Sequence, residues 1–356
     1  MKSYMIIDGQ WGSTGKGLLC GYLALKHSPD TAVCNFGANA GHTFTFDDGR
    51  AVMTQALPTA IVSPSVKKVL LGPGAIVDPS ILNEEMDKYS DLLKGKEIYI
   101  HPMAAVIFPC HRDKESGSLN RVSSTCKGVG AAQADKIMRV RGAVVNDCRT
   151  IFEGNIIIPT VEEFTEMLMS SETLQIESAQ GMELGINSGG FYPYCTSRDV
   201  NVHQVLSDCG IPYGIRPKIF VTMRTFPIRV GDAFGIGGEK VGTSGPVYPD
   251  QKEITWEMLN VPEEKTTVTK KVRRIFTWSD SNYKKMITML NPDSVFLNFT
   301  NYLEENSGFG SPKTGDFVDH LDLMYESMKG RGPIVRWIGV GPKDNDVIER
   351  TENGKL

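Results

Sequence analysis

Tyr4-Met5-Ile6-Ile7-Asp8-Gly9-Gln10-Trp11-Gly12-Ser13-Thr14-Gly15-Lys16-Gly17-Leu18-Leu19-Cys20 opens on a short apolar run, passes through a glycine-rich stretch and enters a helix-forming segment. A run this short, closed by Asp8-Gly9, predicts a buried strand, and Gly15 to Lys26 predicts a helix. Strand, glycine loop and helix in that order open an α/β nucleotide-binding unit. Glycines let backbone N–H groups converge on phosphate oxygens, the helix N-terminus adds partial positive charge, and Lys16 adds a full one. The loop is not a regular P-loop. The spacing from Gly9 to Gly15 is one residue too long, and Gly17 stands where a Ser or Thr would ligate magnesium. The bland alternative, a junction whose glycines serve packing only, leaves Gly-Lys-Gly after a strand unexplained.

Further strands are expected at Ala32–Phe36, Lys68–Leu71, Ile98–Ile100, Leu174–Ile176, Ile219–Thr222, Val295–Asn298 and Val335–Ile338, several of them ending in Gly or Pro. Ser80 to Leu93 and Val161 to Ser170 read as helices. No repeat, low-complexity tract or Pro/Ser-rich linker divides the chain, so residues 1–356 are expected to form a single α/β domain with long functional loops. The 356 residues carry 38 Lys+Arg against 42 Asp+Glu, a net charge of −4. That balance argues against a nucleic-acid surface working by bulk charge. No apolar run reaches the ~18 residues a membrane span needs. The seven cysteines are scattered and form no CxxC pair, which fits reduced thiols in the cytoplasm better than disulfides or a zinc site. The basic stretch Val261 to Arg274 reads, in isolation, as a solvated loop. His101 and His111 flank an apolar run without metal-ligand spacing and are expected to be structural.

Gln10-Trp11-Gly12 with Gly15-Lys16-Gly17, followed by Asn39-Ala40-Gly41-His42-Thr43, resembles the adenylosuccinate synthetase family. The likeness continues in order through Leu57–Ile61, Gly72–Gly74, Asp78-Pro79, Ser124–Gly130, Asp135-Lys136, Arg139, Ala179–Gly181, Tyr192–Ser197, Arg229–Gly231, Thr267–Thr269, Arg273-Arg274 and Gly341-Pro342, nearly the whole chain. It implies an α/β fold with a central, mostly parallel sheet and long active-site loops. It also implies a ligase that uses a nucleoside triphosphate, with magnesium, to phosphorylate a purine at O6 before aspartate takes that position. By the resemblance Thr14, Gly15, Lys16, Gly17, Gly41, His42 and Thr43 hold the donor's phosphates, and Gly341 and Pro342 sit against its base. His42 would be the acid at the purine O6, with Lys16 assisting, and Ser13 and the Gly41 carbonyl would face the metal. Asn39, Ala40, Ser124, Thr125, Gln180, Cys195, Thr196 and Val230 would bind the nucleoside monophosphate. Arg139 would reach its phosphate from a neighbouring subunit, which implies a homodimer. Thr267, Val268, Thr269, Lys271 and Arg273 would hold the carboxylates of aspartate.

The chain departs from the family's pattern at three places. Ser13 stands where the family has an aspartate base. Serine is smaller, and its hydroxyl can accept a hydrogen bond from a 2-amino group, so the change points from IMP to dGMP. The sequence is similar here to the bacteriophage branch that makes 2-aminoadenine nucleotides, which would place the protein in a host cytoplasm. Phe299 and Asn301 occupy the family's Lys-x-Asp positions. An amide offers one donor and one acceptor, which suits adenine, so ATP or dATP is expected in place of GTP. Lys271 replaces an arginine that reaches a ribose 2′-hydroxyl, which is consistent with a deoxyribose. Two other readings stand beside this one: an ordinary adenylosuccinate synthetase using IMP and GTP, and a nucleotide-dependent switch ATPase.

Overall fold

Strands buried on both faces need apolar side chains on both sides, and the first strand has them. β1 (Lys2–Asp8) sends Met5 and Ile7 into one core and Tyr4 and Ile6 into the other. A computed structural model of the chain describes residues 1–152, 154–234, 237–266, 271–304 and 311–351. With β1, the strands β2 (Thr31–Cys34), β3 (Lys68–Leu71), β4 (Glu97–Ile100), β5 (Ile156–Ile157), β6 (Thr173–Gly181), β7 (Lys218–Arg224), β8 (Ser294–Asn298), β9 (Val335–Gly339) and β10 (Val347–Glu349) make one sheet. Its ten strands run in the order β10-β9-β8-β7-β1-β6-β2-β3-β4-β5. All neighbours are parallel except β10, which runs antiparallel to β9. Every strand expected from the sequence lies in this sheet. The short edge strands β5 and β10 were not expected.

Eight helices are used below: α1 (Lys16–His27), α2 (Pro79–Lys88), α3 (Pro109–Ser118), α4 (Val129–Ile137), α5 (Val161–Met169), α6 (Val202–Asp208), α7 (Asp280–Leu290) and α8 (Thr314–Lys329). α1 and α2 pack Leu19, Leu23 and Leu82 on the Tyr4 and Ile6 face. α5 to α8 pack Phe164, Val205, Met286 and Leu321 on the opposite face. The sheet is therefore covered on both sides, as a parallel sheet requires. The helix expected over Ser80 to Leu93 is broken at Tyr89, which has φ −111° and ψ 25°. Its buried hydroxyl accepts from Met53 N–H and donates to Met53 C=O, each at 2.8 Å, and only the turn Ser90–Leu93 follows. Among the described residues no helix is long and apolar enough to cross a membrane.

The parallel strands point their carboxyl ends the same way. Loops leaving β1, β2, β6, β7, β8 and β9 gather there, the edge at which open α/β sheets bind ligands.

Candidate active site

One cavity of about 850 Å³ lies at that edge, large enough for several small ligands side by side. Its wall includes Ser13, Gly15, Lys16 and Gly17 after β1, Asn39 to Thr43 after β2, and Gln180 at the end of β6. It also includes Ser124, Thr125, Cys195, Thr196, Val230, Arg273, Asn301, Gly341 and Pro342. Residues far apart in the chain are thus brought together around one cavity.

The phosphate loop is held from below by Asp8, whose fully buried carboxylate ends β1. It accepts from the N–H groups of Gln10 (2.8 Å) and Gly12 (3.3 Å), from Thr14 Oγ1 (2.5 Å) and from Lys16 Nζ (3.2 Å). Lys16 also donates to the Gln180 carbonyl at 2.9 Å, so its ammonium sits on the cavity floor between two anchors. Gly12 and Gly15 have φ of 95° and 90°, and Ser13 adopts 55°, a region a serine rarely enters. Gly15 is also sterically required, because a Cβ there would lie 2.0 Å from Asn298 Nδ2. Thr14 differs from its expected role in one respect: its side chain is buried against Asp8 and Thr222 and does not line the cavity.

His42 begins a hairpin (His42–Thr45 with Ala51–Thr54) that crosses over α1. Its Nδ1 lies 2.6 Å from Glu177 Oε1, on β6. Glu177 is fixed in turn by the Thr59 N–H (2.7 Å) and hydroxyl (2.8 Å). This pairing sets the ring's orientation. Burial lowers the imidazole's pKa, and the Glu177 carboxylate opposes that shift without reversing it. His101 and His111 are spent inside the fold: His101 Nδ1 accepts from Met103 N–H, and His111 lies between Phe108 N–H and Asp135.

At the other end, the loop carrying Ser124 and Thr125 is pinned by Glu115 of α3. Its carboxylate accepts from Gly128 N–H and Gly130 N–H, both at 2.7 Å, and from Ala131 N–H at 3.2 Å, where α4 begins. A carboxylate at a helix N-terminus is favourable and fixes the approach of the chain. Among the described residues, four buried polar atoms on the cavity wall have no protein partner: Trp11 Nε1, Asn39 Oδ1, Ser123 Oγ and Asn301 Oδ1. Buried polar groups are normally satisfied, so these mark where a polar ligand would bond.

Asn301 opens a short turn, Asn301–Glu304, beside Phe299. The aspartate-loop candidates Thr267, Val268 and Thr269 lie outside the described residues. Their flanks pair: Thr266 N–H donates to Lys271 C=O (2.8 Å), and Arg273 N–H to Glu264 C=O (2.9 Å). Arg273 lines the cavity, with its pKa pushed down to about 10 by burial. Lys271 does not line it, and Arg139 lies elsewhere, beyond the end of α4. Sequence reasoning passed over Glu177, Glu115, Arg224 and Glu264. Each is defined by a partner distant in the chain; Glu177 lies within β6 and Glu115 within α3, where nothing local marks them.

Among the described residues no cluster of three metal-ligating side chains occurs. The carboxylates on the cavity wall and beneath it are engaged: Glu115 by amides, Glu264 by Arg224 and, below the phosphate loop, Asp8 by Lys16. A Ser13 hydroxyl and the Gly41 carbonyl are hard oxygen donors, and they fit a magnesium ion that takes its other ligands from phosphates and water.

Residues 5–153 match the adenylosuccinate synthetase family. The chain is 42% identical to the N6-succino-2-amino-2′-deoxyadenylate synthase of Vibrio phage phiVC8, with 98% of each chain covered. It is 39% identical to the synthase of the same name from Salmonella phage PMBT28, with 97% of each covered. Among solved structures it is similar to the Cyanophage S-2L succinoaminodeoxyadenylate synthetase bound to dGMP and dATP as an energy donor. That match has a TM-score of 0.87 and 35% identity, over 99% of this chain and 97% of the other.

Proposed function

The chain belongs to the adenylosuccinate synthetase family, and on that premise we propose that it joins L-aspartate to C6 of dGMP at the expense of ATP or dATP. The products are the N6-succinyl 2-aminoadenine deoxynucleotide, the nucleoside diphosphate and phosphate. The observation that carries this reading is full-length likeness to phage synthases of that name and to a structure holding dGMP and dATP. Ser13 on the cavity wall, where the family has aspartate, agrees with it.

The γ-phosphoryl group passes to O6 of the purine as the N1 proton leaves. The amine of aspartate then adds at C6 and expels phosphate, losing its own protons. Oxygen at C6 is a poor leaving group, and phosphorylation makes it a good one. Phosphoryl transfer asks mainly for positioning and charge neutralisation. Lys16 and the amides of Gly15 and Gly17 supply these for the donor, and His42, oriented by Glu177, addresses O6. Magnesium, when bound, adds positive charge to the donor's phosphates, with Ser13 and Gly41 as the protein's oxygen ligands. Ser13 accepts from the 2-amino group, Gln180 and Asn39 hold the purine, and Thr125 and Thr196 hold the 5′-phosphate. Arg273 grips a carboxylate of aspartate bidentately.

A second copy of the chain completes the phosphate site with Arg139. Ile137, Met138 and Val140 beside it are 66%, 75% and 47% exposed, an apolar strip suited to an interface between copies. Mixing R139A with H42N should restore turnover that neither has alone, because one site of the mixed dimer then keeps both residues.

The direct test is phosphate release with magnesium, aspartate and ATP, adding dGMP, GMP, dAMP or IMP in turn and following the nucleotide by mass spectrometry. Release that requires both dGMP and aspartate, with a succinyl adduct, is expected. Turnover with IMP alone would identify an ordinary adenylosuccinate synthetase, and hydrolysis without aspartate a switch ATPase.

A further inference from the structure

Arg224 closes β7 with no exposed surface, and its guanidinium meets three loops at once. Nη1 donates to the Ser13 carbonyl at 3.1 Å, holding that residue in its left-handed conformation. Nη1 and Nη2 grip Glu264 at 3.1 and 2.6 Å, a bidentate pair. Its central carbon, Cζ, lies 3.8 Å from the centroid of the Phe299 ring, and the Tyr302 hydroxyl donates to the same Glu264 at 2.9 Å. The backbone is fixed as well: Arg224 N–H donates to Gln10 Oε1 at 3.0 Å, and Gln10 Nε2 returns a bond to Arg224 C=O at 3.2 Å. Glu264 is not an isolated counter-ion, because its carbonyl receives the N–H of Arg273 at 2.9 Å. A displacement of Glu264 therefore moves the arginine assigned to aspartate.

We propose that Arg224 is a positioning residue that couples the donor-base wall to the aspartate loop, so that filling one side favours filling the other. The inference rests on the function proposed above for the two sides. The chain of contact runs from Phe299 and Tyr302, through the guanidinium and Glu264, to Arg273, with Ser13 as a side branch. No other side chain is required. The planar fork matters, because a lysine ammonium cannot make the two parallel bonds that Arg224 makes to Glu264. Ordering a shared element for the first ligand lowers the cost of binding the second, and by linkage the effect is reciprocal.

The test combines calorimetric binding of ATP with steady-state KM values for aspartate and dGMP, in wild type, R224K, E264Q and F299L. Wild type should bind ATP more tightly when aspartate is present, by roughly 5-fold or more. R224K should weaken ATP binding and raise the KM for aspartate by about tenfold each, the loss expected for a charge-assisted bond in a buried pair. In E264Q and F299L, which keep the Arg224 bond to Ser13, the KM for dGMP should stay within about twofold, a split that a general loss of folding would not produce. F299L touches only the donor side, yet should raise the KM for aspartate, whereas E264Q should weaken ATP binding from the aspartate side. If F299L alters ATP binding alone and E264Q alters aspartate alone, the coupling does not exist. Should R224K not fold, F299L and E264Q decide the matter between them. If wild type turns over no dGMP with aspartate, the proposed function fails. The effect of aspartate on ATP affinity in E264Q and F299L still reports on the coupling in that case.

Discussion

At the scale of single residues, His42 and Asn301 make the sharpest demands. The Glu177 carboxylate raises the pKa of His42 against the lowering effect of burial. Replacing Glu177 by Gln removes that opposition, so the imidazole loses its proton at lower pH than before. If protonated His42 acts at O6, the alkaline fall of kcat in E177Q should begin at lower pH. Its maximum should drop by about 10²-fold or more, as read from a pH–rate profile. Asn301 presents a buried Oδ1 on the cavity wall that has no partner among the described residues. N301D turns one donor and one acceptor into two acceptors, the arrangement that matches guanine. ATP should lose, and GTP gain, about 10- to 100-fold in kcat/KM, the range of one good bidentate base contact. An unchanged preference would remove Asn301 from the base site.

At the scale of elements, the hairpin bearing His42 rests on α1 through a point where no side chain fits. A Cβ at Gly17 would lie 2.6 and 2.7 Å from the backbone N and O of Thr43. Backbone atoms on both sides cannot swing away as a side chain can. G17A should cost about 1–3 kcal/mol of stability, as overpacking does, and should depress kcat further by shifting His42. Urea unfolding and turnover measured together separate the two. The same level shows what could be read beforehand. The central strands were legible because burial on both faces leaves continuous apolar runs, such as Val69-Leu70-Leu71 and Val295-Phe296-Leu297. β5 and β10, two and three residues long, leave no periodicity to read. α7 and α8 went unseen because Lys284-Lys285 and several aspartates dilute the apolar stripe that buries Tyr283, Met286 and Leu321. Lys16 and His42 stood inside contiguous motifs, so the phosphate loop and the hairpin base were visible. Glu177 was not, because it meets His42 across 135 residues, and nothing local distinguishes it from any other strand carboxylate.

At the scale of the whole molecule, stability should depend on pH through buried histidines. His101 is 6% exposed, packs edge-on against Phe164 at 4.8 Å, and has its pKa lowered from 6.5 to about 4 by burial. A base with a depressed folded pKa leaves stability intact above the unfolded value. As pH falls below 6.5 the unfolded chain takes up a proton that the folded chain refuses. About 2 kcal/mol should therefore be lost by roughly pH 5. Urea midpoints measured across this range should fall less steeply in H101Q than in wild type, and an identical slope would assign the loss to other groups. The strand order has a consequence for synthesis. β1 leaves the ribosome early, but both its neighbours, β6 and β7, begin beyond residue 172, and β2 also needs β6. The phosphate loop therefore hangs from an unpaired strand until about half of the chain has been translated, and β1 gains its second neighbour only with β7. During that interval the apolar side chains of β1 and its unpaired backbone groups are exposed to chaperones, to proteases and to other nascent chains. Output of active protein would then be limited by how quickly translation reaches Arg224, and a pause before that point would cost more than one after it.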